Sequence, residues 1–254
     1  SAGEIFASTM LEAGAPAHLV QTVHCTHDVT AALVRHPSVA HVVFTGSVAG
    51  GRAVHAAAAG TLKPVATELG GKDPAYVRAD ADLDFTIPNL VEGACYNAGQ
   101  SCCAIERVYV HRSVYQQVLD GVVAHAEALV MGDPLQKTTT LGPIAQPHHP
   151  GFLDALVESG VAAGGRLLCG GHQTQVNGLG RFFAPTVVAD VPQRSRLMQD
   201  EAFGPILALL PVDGDEQAVT LMNDSRFGLT ASLWTQDLEA AKGLLPRIQA
   251  GTVF

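Results

Sequence analysis

Apolar and polar positions follow a helical period in some segments and a strand-like pattern in others, and the two kinds of segment take turns along the chain. From residue 3 to residue 13 apolar side chains recur at helical spacing, and Gly14 followed by Pro16 is a usual way to end a helix. The next segments predict a strand over 19–23, a helix from 28 that stops before Pro37, a strand over 39–46, a helix over 48–60 and a strand over 62–69.

Strands that alternate with helices are typical of a parallel sheet. Three strands with the helices between them make half of a doubly wound sheet, which we expect for residues 1–69. The pattern restarts after Gly70 and Gly71, where two residues without side chains form a flexible connection. The sequence therefore predicts an α/β protein with two domains, 1–69 and 70–254.

The second domain repeats the alternation over a longer stretch. Pro88 falls beyond the first turn of its first helix and should kink that helix or delay its start. His148 and His149 stand between two prolines, which predicts an exposed turn. The predicted strands are 75–79, 107–111, 166–171, 183–191, 205–212 and 229–235, and the predicted helices are 82–97, 113–130, 151–165, 216–224 and 237–249.

Composition narrows the class of protein. The 254 residues are 47% apolar and 15% charged, which predicts a soluble folded protein, and no apolar run is long enough to cross a membrane. A net charge of −9 argues against a nucleic-acid partner. No basic segment leads into an apolar core at the start, so we expect a cytoplasmic protein. The chain opens inside a helical pattern and stops on a strand-like one, so we expect a section of a longer protein.

The five cysteines are odd in number, scattered over a long chain and without the regular spacing of a disulfide framework. Reduced thiols are expected. The adjacent pair Cys102 and Cys103 has no second close pair of Cys or His at ligand spacing, so no metal site is predicted.

Two side chains are candidates for chemistry. Glu68 ends an apolar strand before two glycines, which suits a carboxylate lining a cleft but equally a strand-end charge facing solvent. Cys102 follows a glycine-led turn, where backbone N–H groups could lower the thiol pKa and hold a developing oxyanion. The alternative is that Cys102 and Cys103 are two small buried side chains.

Five motifs resemble, in order and approximate spacing, those of the aldehyde dehydrogenase superfamily. They are FTGS at 44–47, ELGGK at 68–72, GQSCCA at 99–104, EAFGP at 201–205 and NDSRFGLTASLWT at 223–235. The resemblance covers essentially the whole chain. It implies a Rossmann-like nucleotide-binding domain, present only as its second half over 1–69, and an α/β catalytic domain over 70–254.

The resemblance implies oxidation of an aldehyde to a carboxylic acid with NAD or NADP, by way of a cysteine thioester. Cys102 would be the nucleophile that attacks the aldehyde. Glu68 would take a proton from the water that hydrolyses the thioester, a role that burial favours by raising a carboxyl pKa. Cys103 would be an additional thiol in the core or the wall of the site.

The same resemblance implies a set of cofactor-binding residues. Gly46 and Ser47 would bind the pyrophosphate at a helix N-terminus, with the Ser47 hydroxyl as an added donor. Glu201 would bind the nicotinamide ribose, and Leu69 would contact the nicotinamide amide through its backbone. Phe203 would pack near the nicotinamide, with plain core packing as the alternative.

The resemblance implies that this chain corresponds to the middle section of a family member and lacks that protein's N-terminal part and C-terminal end. The N-terminal part supplies an oxyanion asparagine and the first sheet strands in the family, so this chain alone should be weakly active or inactive. The complete protein is expected to be a homodimer or homotetramer. A second possibility stays open, namely a catalytically incompetent derivative of the family that acts as a binding or structural protein.

Overall fold

The computed structural model describes residues 1–254, which form two compact units, Ser1–Leu69 and Gly70–Phe254. None of the helices combines the length and the apolar character that a membrane span requires. All five cysteines are free thiols, as predicted from their spacing.

The first unit contains three helices and a two-stranded parallel sheet. Its elements are α1 (Ala2–Glu12), α2 (His27–Arg35), β1 (Val42–Thr45), α3 (Val48–Ala58) and β2 (Val65–Glu68). Strands β1 and β2 are parallel, with α3 as the crossover, and Thr45 lies opposite Glu68 at the carboxyl end of the pair. Val34, Val54 and Ala58 form its small buried core. The predicted βαβ arrangement of residues 39–69 is therefore present.

The predicted strand over 19–23 was wrong. These residues pair with no other strand, and Leu19 and Val23 are 63% and 65% exposed. A strand is stabilised by a hydrogen-bonded neighbour and by burial of one face, and this segment has neither. The first unit thus holds two sheet strands where the sequence predicted three.

The second unit is built on a seven-stranded sheet. Its strands are β3 (Asp73–Val77), β4 (Ile105–His111), β5 (Arg166–Cys169), β8 (Thr186–Ala189), β9 (Ile206–Val212), β10 (Thr230–Trp234) and β11 (Thr252–Val253). They lie in the order β11-β10-β3-β4-β9-β8-β5, and neighbouring strands run parallel except for β5, which is antiparallel to β8. All five residues of β3 are buried, because helices cover both faces of a parallel sheet.

Six helices and a separate hairpin complete this unit. The helices are α4 (Leu83–Cys95), α5 (Tyr115–Glu127), α6 (His149–Ala162), α7 (Arg196–Gln199), α8 (Asp215–Asn223) and α9 (Leu238–Leu244). The hairpin joins β6 (Gln173–Val176) to β7 (Leu179–Phe183). Asn177 and Gly178 both have positive φ at its two-residue turn, which is the typical conformation of an Asn-Gly hairpin. Neither this hairpin nor α7 was predicted from the sequence.

Two local expectations can be compared with the structure. Helix α4 begins at Leu83, where the Asp82 side chain caps it by accepting from the Phe85 N–H at 3.3 Å. Of the two effects expected from Pro88, the delayed start is therefore wrong, and the kink stays a prediction. His149 is the first residue of α6 and only His148 is exposed, so the two histidines do not form the exposed turn that was predicted.

Candidate active site

The turn that carries Cys102 begins in a strained backbone. Helix α4 ends at Cys95, and Tyr96–Gly99 form one turn of 3-10 helix in which Asn97 and Ala98 have φ of 53° and 56°. A left-handed conformation is costly for residues with a Cβ, and it persists only where the surroundings fix it. Here Asn97 Nδ2 donates to the Gln100 carbonyl at 3.1 Å, and Gln100 Nε2 donates to the Asn97 carbonyl at 2.9 Å.

Gln100 also ties this turn to a neighbouring loop. Its Nε2 donates to the Pro143 carbonyl at 3.3 Å, and its Oε1 accepts from the Ala145 N–H at 2.8 Å. On another side, a side chain at Gly99 would overlap the carbonyl of Gly204. Gln100 had no predicted role, because Pro143 and Ala145 lie more than forty residues away along the chain.

Cys102 is partly buried, and Cys103 beside it is exposed. Burial raises the pKa of the Cys102 thiol and the neighbouring Cys103 raises it further, while the turn's own backbone hydrogen bond lowers it. The turn was expected to lower this pKa, but loss of hydration outweighs the backbone N–H. Cys103 was expected in the core or in a wall of the site, and its exposure excludes the core position.

The glycine pair at 70 and 71 lies between Glu201 and the cysteine turn. Glu201 Oε1 accepts from the Gly71 N–H at 3.1 Å. A Cβ at Gly70 would overlap the Glu201 carboxylate, and a Cβ at Gly71 would overlap the Cys102 carbonyl oxygen. Neither glycine has a positive φ, so the backbone conformation does not require glycine at these positions. Glycine is required because there is no room for a Cβ atom.

Glu201 and Phe203 lie in the loop between α7 and β9. Burial raises the pKa of the Glu201 carboxyl, and the Gly71 N–H opposes that rise. Phe203 has φ of 52°, and its ring meets His149 edge to face with the centroids 6.5 Å apart. Because Phe203 is 37% exposed, core packing does not account for it.

The first unit brings its four predicted site residues to one edge, the carboxyl end of β1 and β2. The Gly46 N–H donates to the Glu68 carbonyl at 3.0 Å, and the Ser47 side chain caps α3 by accepting from the Gly50 N–H at 3.1 Å. Glu68 is exposed at the end of β2. A Cβ at Gly51 in α3 would lie 2.7 Å from Leu69 Cδ2, so helix and strand end approach closely.

Amide donors remain at this edge for an anion. The first intrahelical bond of α3 runs from the Gly51 N–H to the Ser47 carbonyl at 2.9 Å, and Ser47 Oγ takes the Gly50 N–H. The preceding N–H groups of Val48 and Ala49 have no intrahelical acceptor. A helix N-terminus with free amides is suited to a phosphate group.

Lys72 and Asp73 fix the chain after the glycine pair. Lys72 is 1% exposed and its Nζ lies 2.5 Å from Glu106 Oε2, and burial lowers the pKa of the ammonium group. Asp73 accepts from the backbone and hydroxyl of Thr230, and burial raises the pKa of its carboxyl to about 6. Neither residue forms part of a cluster of His, Cys, Asp and Glu side chains suited to a metal ion, and the structure contains no such cluster.

Comparison with known proteins gives consistent matches along the whole chain. A model described as the aldehyde dehydrogenase family matches residues 1–254. The chain is 39% identical over 249 residues to a betaine aldehyde dehydrogenase of Rhizobium etli, covering 98% of this chain and 51% of that protein. It is 37% identical over 249 residues to a geranial dehydrogenase of Castellaniella defragrans, covering 98% of this chain and 52% of that protein.

Solved structures of aldehyde dehydrogenases also match this chain. The chain matches aldehyde dehydrogenase C of Pseudomonas syringae, a mutant in complex with NAD+ and octanal, with a TM-score of 0.94 and 36% identity over 98% of this chain and 52% of that one. It matches lactaldehyde dehydrogenase of Escherichia coli with a TM-score of 0.93 and 34% identity, over 98% and 52% of the two chains. The predicted α/β fold class is confirmed. The chain spans about half the length of the relatives it matches.

Proposed function

The chain belongs to the aldehyde dehydrogenase family, and we propose that its natural protein oxidises an aldehyde to a carboxylic acid with NAD or NADP. The observation that carries the proposal is the presentation of Cys102: a partly buried thiol directly after a turn with left-handed backbone at Asn97 and Ala98, a turn held by the Gln100 side chain and packed against the Gly204 backbone. Strained backbone held rigidly by its surroundings is typical of catalytic turns.

In this proposal, residues 1–69 are the second half of a dinucleotide-binding domain. The free amides at the N-terminus of α3, with Gly46 and Ser47, would bind the pyrophosphate of the cofactor. The Ser47 oxygen already accepts from Gly50, so its hydroxyl hydrogen is available to donate. Leu69 would add a backbone contact to the nicotinamide amide.

Residues 70–254 are the proposed catalytic domain. The Glu201 carboxylate has one hydrogen bond, from Gly71, so further oxygen lone pairs are available for two ribose hydroxyls. The partly exposed ring of Phe203 offers an apolar face to the nicotinamide. These groups fit a nicotinamide cofactor in the nature of their donors and acceptors.

The proposed reaction proceeds through a covalent bond to Cys102. The Cys102 thiol releases its proton to solvent, the resulting thiolate sulfur adds to the aldehyde carbon, and the carbonyl oxygen would become an oxyanion near the backbone N–H groups of the turn. A bound nicotinamide supplies the acceptor for the hydrogen and the electron pair that leave this carbon. What remains on Cys102 is a thioester. Glu68 then removes a proton from water, the water oxygen attacks the thioester carbon, and the acid leaves as the Cys102 sulfur is released.

The substrate is proposed only as an aldehyde. The matched relatives are named for betaine aldehyde and for geranial, which differ in charge and polarity, so family membership does not select between them. The complete protein is proposed to be a homo-oligomer, a dimer or a tetramer.

The test uses the protein at its natural length. Purified protein is assayed with NAD and with NADP against a set of aliphatic, aromatic and cationic aldehydes, beside a Cys102→Ala variant. We expect turnover that depends on Cys102 and gives one carboxylic acid per reduced cofactor. Cofactor binding without turnover of any aldehyde would contradict the proposal and favour the alternative of a non-catalytic binding protein.

A further inference from the structure

The loop that carries Glu201 and Phe203 is held through its backbone by a buried carboxylate that none of the five motifs includes. Glu106, in β4, is 2% exposed. Its Oε1 accepts from the N–H groups of Ala202 and Phe203 at 3.0 and 2.9 Å, and its Oε2 accepts from Ala202 at 2.8 Å. Hydrogen bonds from backbone N–H groups to a charged carboxylate are stronger than those between neutral groups.

The charge of Glu106 is balanced by Lys72, whose Nζ lies 2.5 Å from Oε2. The pair links the segment after the glycine pair to the Glu201 loop. A buried ion pair is often no more stabilising than two apolar residues of similar size. Stability alone therefore does not account for a carboxylate at this position, whereas the loop's N–H groups require an acceptor there.

The backbone carbonyls of the same two residues are bound by His149. Its Nε2 lies 2.9 Å from the Ala202 carbonyl and 3.1 Å from the Phe203 carbonyl. Both partners are acceptors, so Nε2 carries the hydrogen. The ring is stacked on Phe152 with the centroids 5.3 Å apart, which fixes its orientation. The backbone N–H and carbonyl groups of Ala202 and Phe203 are thus all hydrogen-bonded.

Such fixation is needed because Phe203 has φ of 52°, a conformation that a residue with a Cβ leaves readily when unsupported. Relaxation at Phe203 would move its ring and would shift Glu201, two residues away. We infer that Glu106 is a positioning residue, which acts with Lys72 and His149 to hold the Glu201 carboxylate and the Phe203 ring in the geometry that binds the nicotinamide half of the cofactor. The inference rests on the proposed function, because it assigns these two side chains to the cofactor.

The first experiment measures cofactor binding by Glu106→Gln in the natural-length protein. Glutamine keeps the shape but lacks the charge, and its NH2 group faces donors it cannot bond. We expect KM and Kd for the cofactor to rise about tenfold or more, while kcat at saturating cofactor falls less than about threefold. Alkylation of Cys102 by iodoacetamide should keep its rate. The matched control is Glu158→Gln, on the exposed face of α6, which should change none of these values.

A second measurement does not depend on enzyme activity. Amide hydrogen exchange in a peptide covering 199–205 should be at least tenfold faster in Glu106→Gln, while peptides from α5 and β9 stay protected. Unchanged exchange there would overturn the inference whatever the enzyme does. If wild-type protein binds neither NAD nor NADP, the proposed function fails, whereas faster exchange in the variant would still support the loop-holding role of Glu106.

A third variant separates positioning from simple stabilisation. Lys72→Met with Glu106→Gln removes both charges and should recover the thermal stability lost by Glu106→Gln alone, since no unpaired buried ammonium remains. It also serves as the test protein if the single variant does not fold. We expect its cofactor KM to stay at least tenfold above wild type. Recovery of cofactor affinity together with stability would show that Glu106 only balances Lys72, and the inference would be overturned.

Discussion

The Gly71 N–H donates to the Glu201 carboxylate across 3.1 Å, although the two residues are 130 positions apart in the chain. This bond joins the ELGGK motif to the EAFGP motif. On its other side Gly71 has no room for a side chain beside the Cys102 carbonyl. Three of the five motifs found in the sequence therefore meet around one glycine.

Adding a methyl group at each glycine of the pair should have different effects. At Gly71 the obstacle is the backbone of Cys102, so Gly71→Ala should lower the free energy of unfolding by about 1–3 kcal/mol. At Gly70 the obstacle is the end of the Glu201 side chain, which can rotate away. Gly70→Ala should therefore cost less stability but weaken cofactor binding by displacing Glu201.

Chemical denaturation and cofactor titration of both variants check this difference. The control is Gly151→Ala: this glycine lies in α6, where a methyl group would have no neighbouring atom within 4 Å, and alanine there should be neutral or stabilising by up to about 1 kcal/mol. Equal loss of stability at positions 70 and 71 would contradict the geometry described above.

Most regular elements could be predicted because their sequence patterns report burial directly. Strands β4 and β9 are largely apolar and lie in the centre of the larger sheet. Residues 19–23 have similar residue types but no partner strand, and a pattern of residues does not show whether a neighbour exists. The β6–β7 hairpin could have been found from Asn177 and Gly178, the strongest short-range hairpin signal.

The candidate site was predictable as a set of motifs and not as a set of contacts. Cys102, Glu201 and Phe203 stood out in sequence because they lie in recognisable motifs. Glu106 did not stand out, since its role comes from hydrogen bonds to Ala202 and Phe203, which lie 96 and 97 positions further along the chain. The pKa of Cys102 was expected in the wrong direction, because burial of the thiol depends on tertiary packing.

The two adjacent thiols should differ sharply in function. Cys102→Ala should abolish aldehyde oxidation without loss of fold, and Cys103→Ala should keep most activity, because the proposed covalent bond forms at Cys102 alone. Circular dichroism and steady-state assays of both variants test this. Comparable losses in the two variants would mean that the nucleophile has been assigned to the wrong sulfur.

The raised pKa of Cys102 gives a pH dependence that can be measured. The rate of iodoacetamide labelling at Cys102 follows its thiolate fraction and should still increase at pH values where an ordinary exposed thiol has reached its plateau. Peptide mapping by mass spectrometry distinguishes Cys102 from Cys103. A plateau below the ordinary thiol range would contradict the burial of this sulfur.

Asp73 should make stability depend on pH in the acid range. Its carboxyl pKa is raised from 3.8 to about 6 in the folded protein, so the native state favours the protonated form. Asp73 therefore contributes its full stabilisation of the folded state at pH values below the carboxyl pKa of the unfolded chain. This stabilisation is lost as the pH rises through about 6. Asp73→Asn should therefore gain stability relative to wild type between these values.

Urea denaturation from pH 3.5 to pH 7 provides the comparison. The stability difference between Asp73→Asn and wild type should grow with pH and level off above about 6. The matched control is Asp84→Asn, the same change at an exposed carboxyl on α4. A difference that shrinks as pH rises would show that the Thr230 hydrogen bonds, and not burial, dominate this carboxyl.

The last prediction concerns Glu68, the exposed carboxylate at the end of β2. In the proposed reaction it acts only on water, after the first reduced cofactor has formed. Glu68→Gln in the natural-length protein should therefore give a rapid burst of about one NADH or NADPH per active site, followed by a steady state slower by about 10²–10⁴. Rapid-mixing absorbance measurements separate the two phases, and Glu12→Gln on the exposed face of α1 is the matched control. If the burst slowed in proportion to the steady state, Glu68 would have to act on the Cys102 thiol before the first chemical step, and its assignment to water would be wrong.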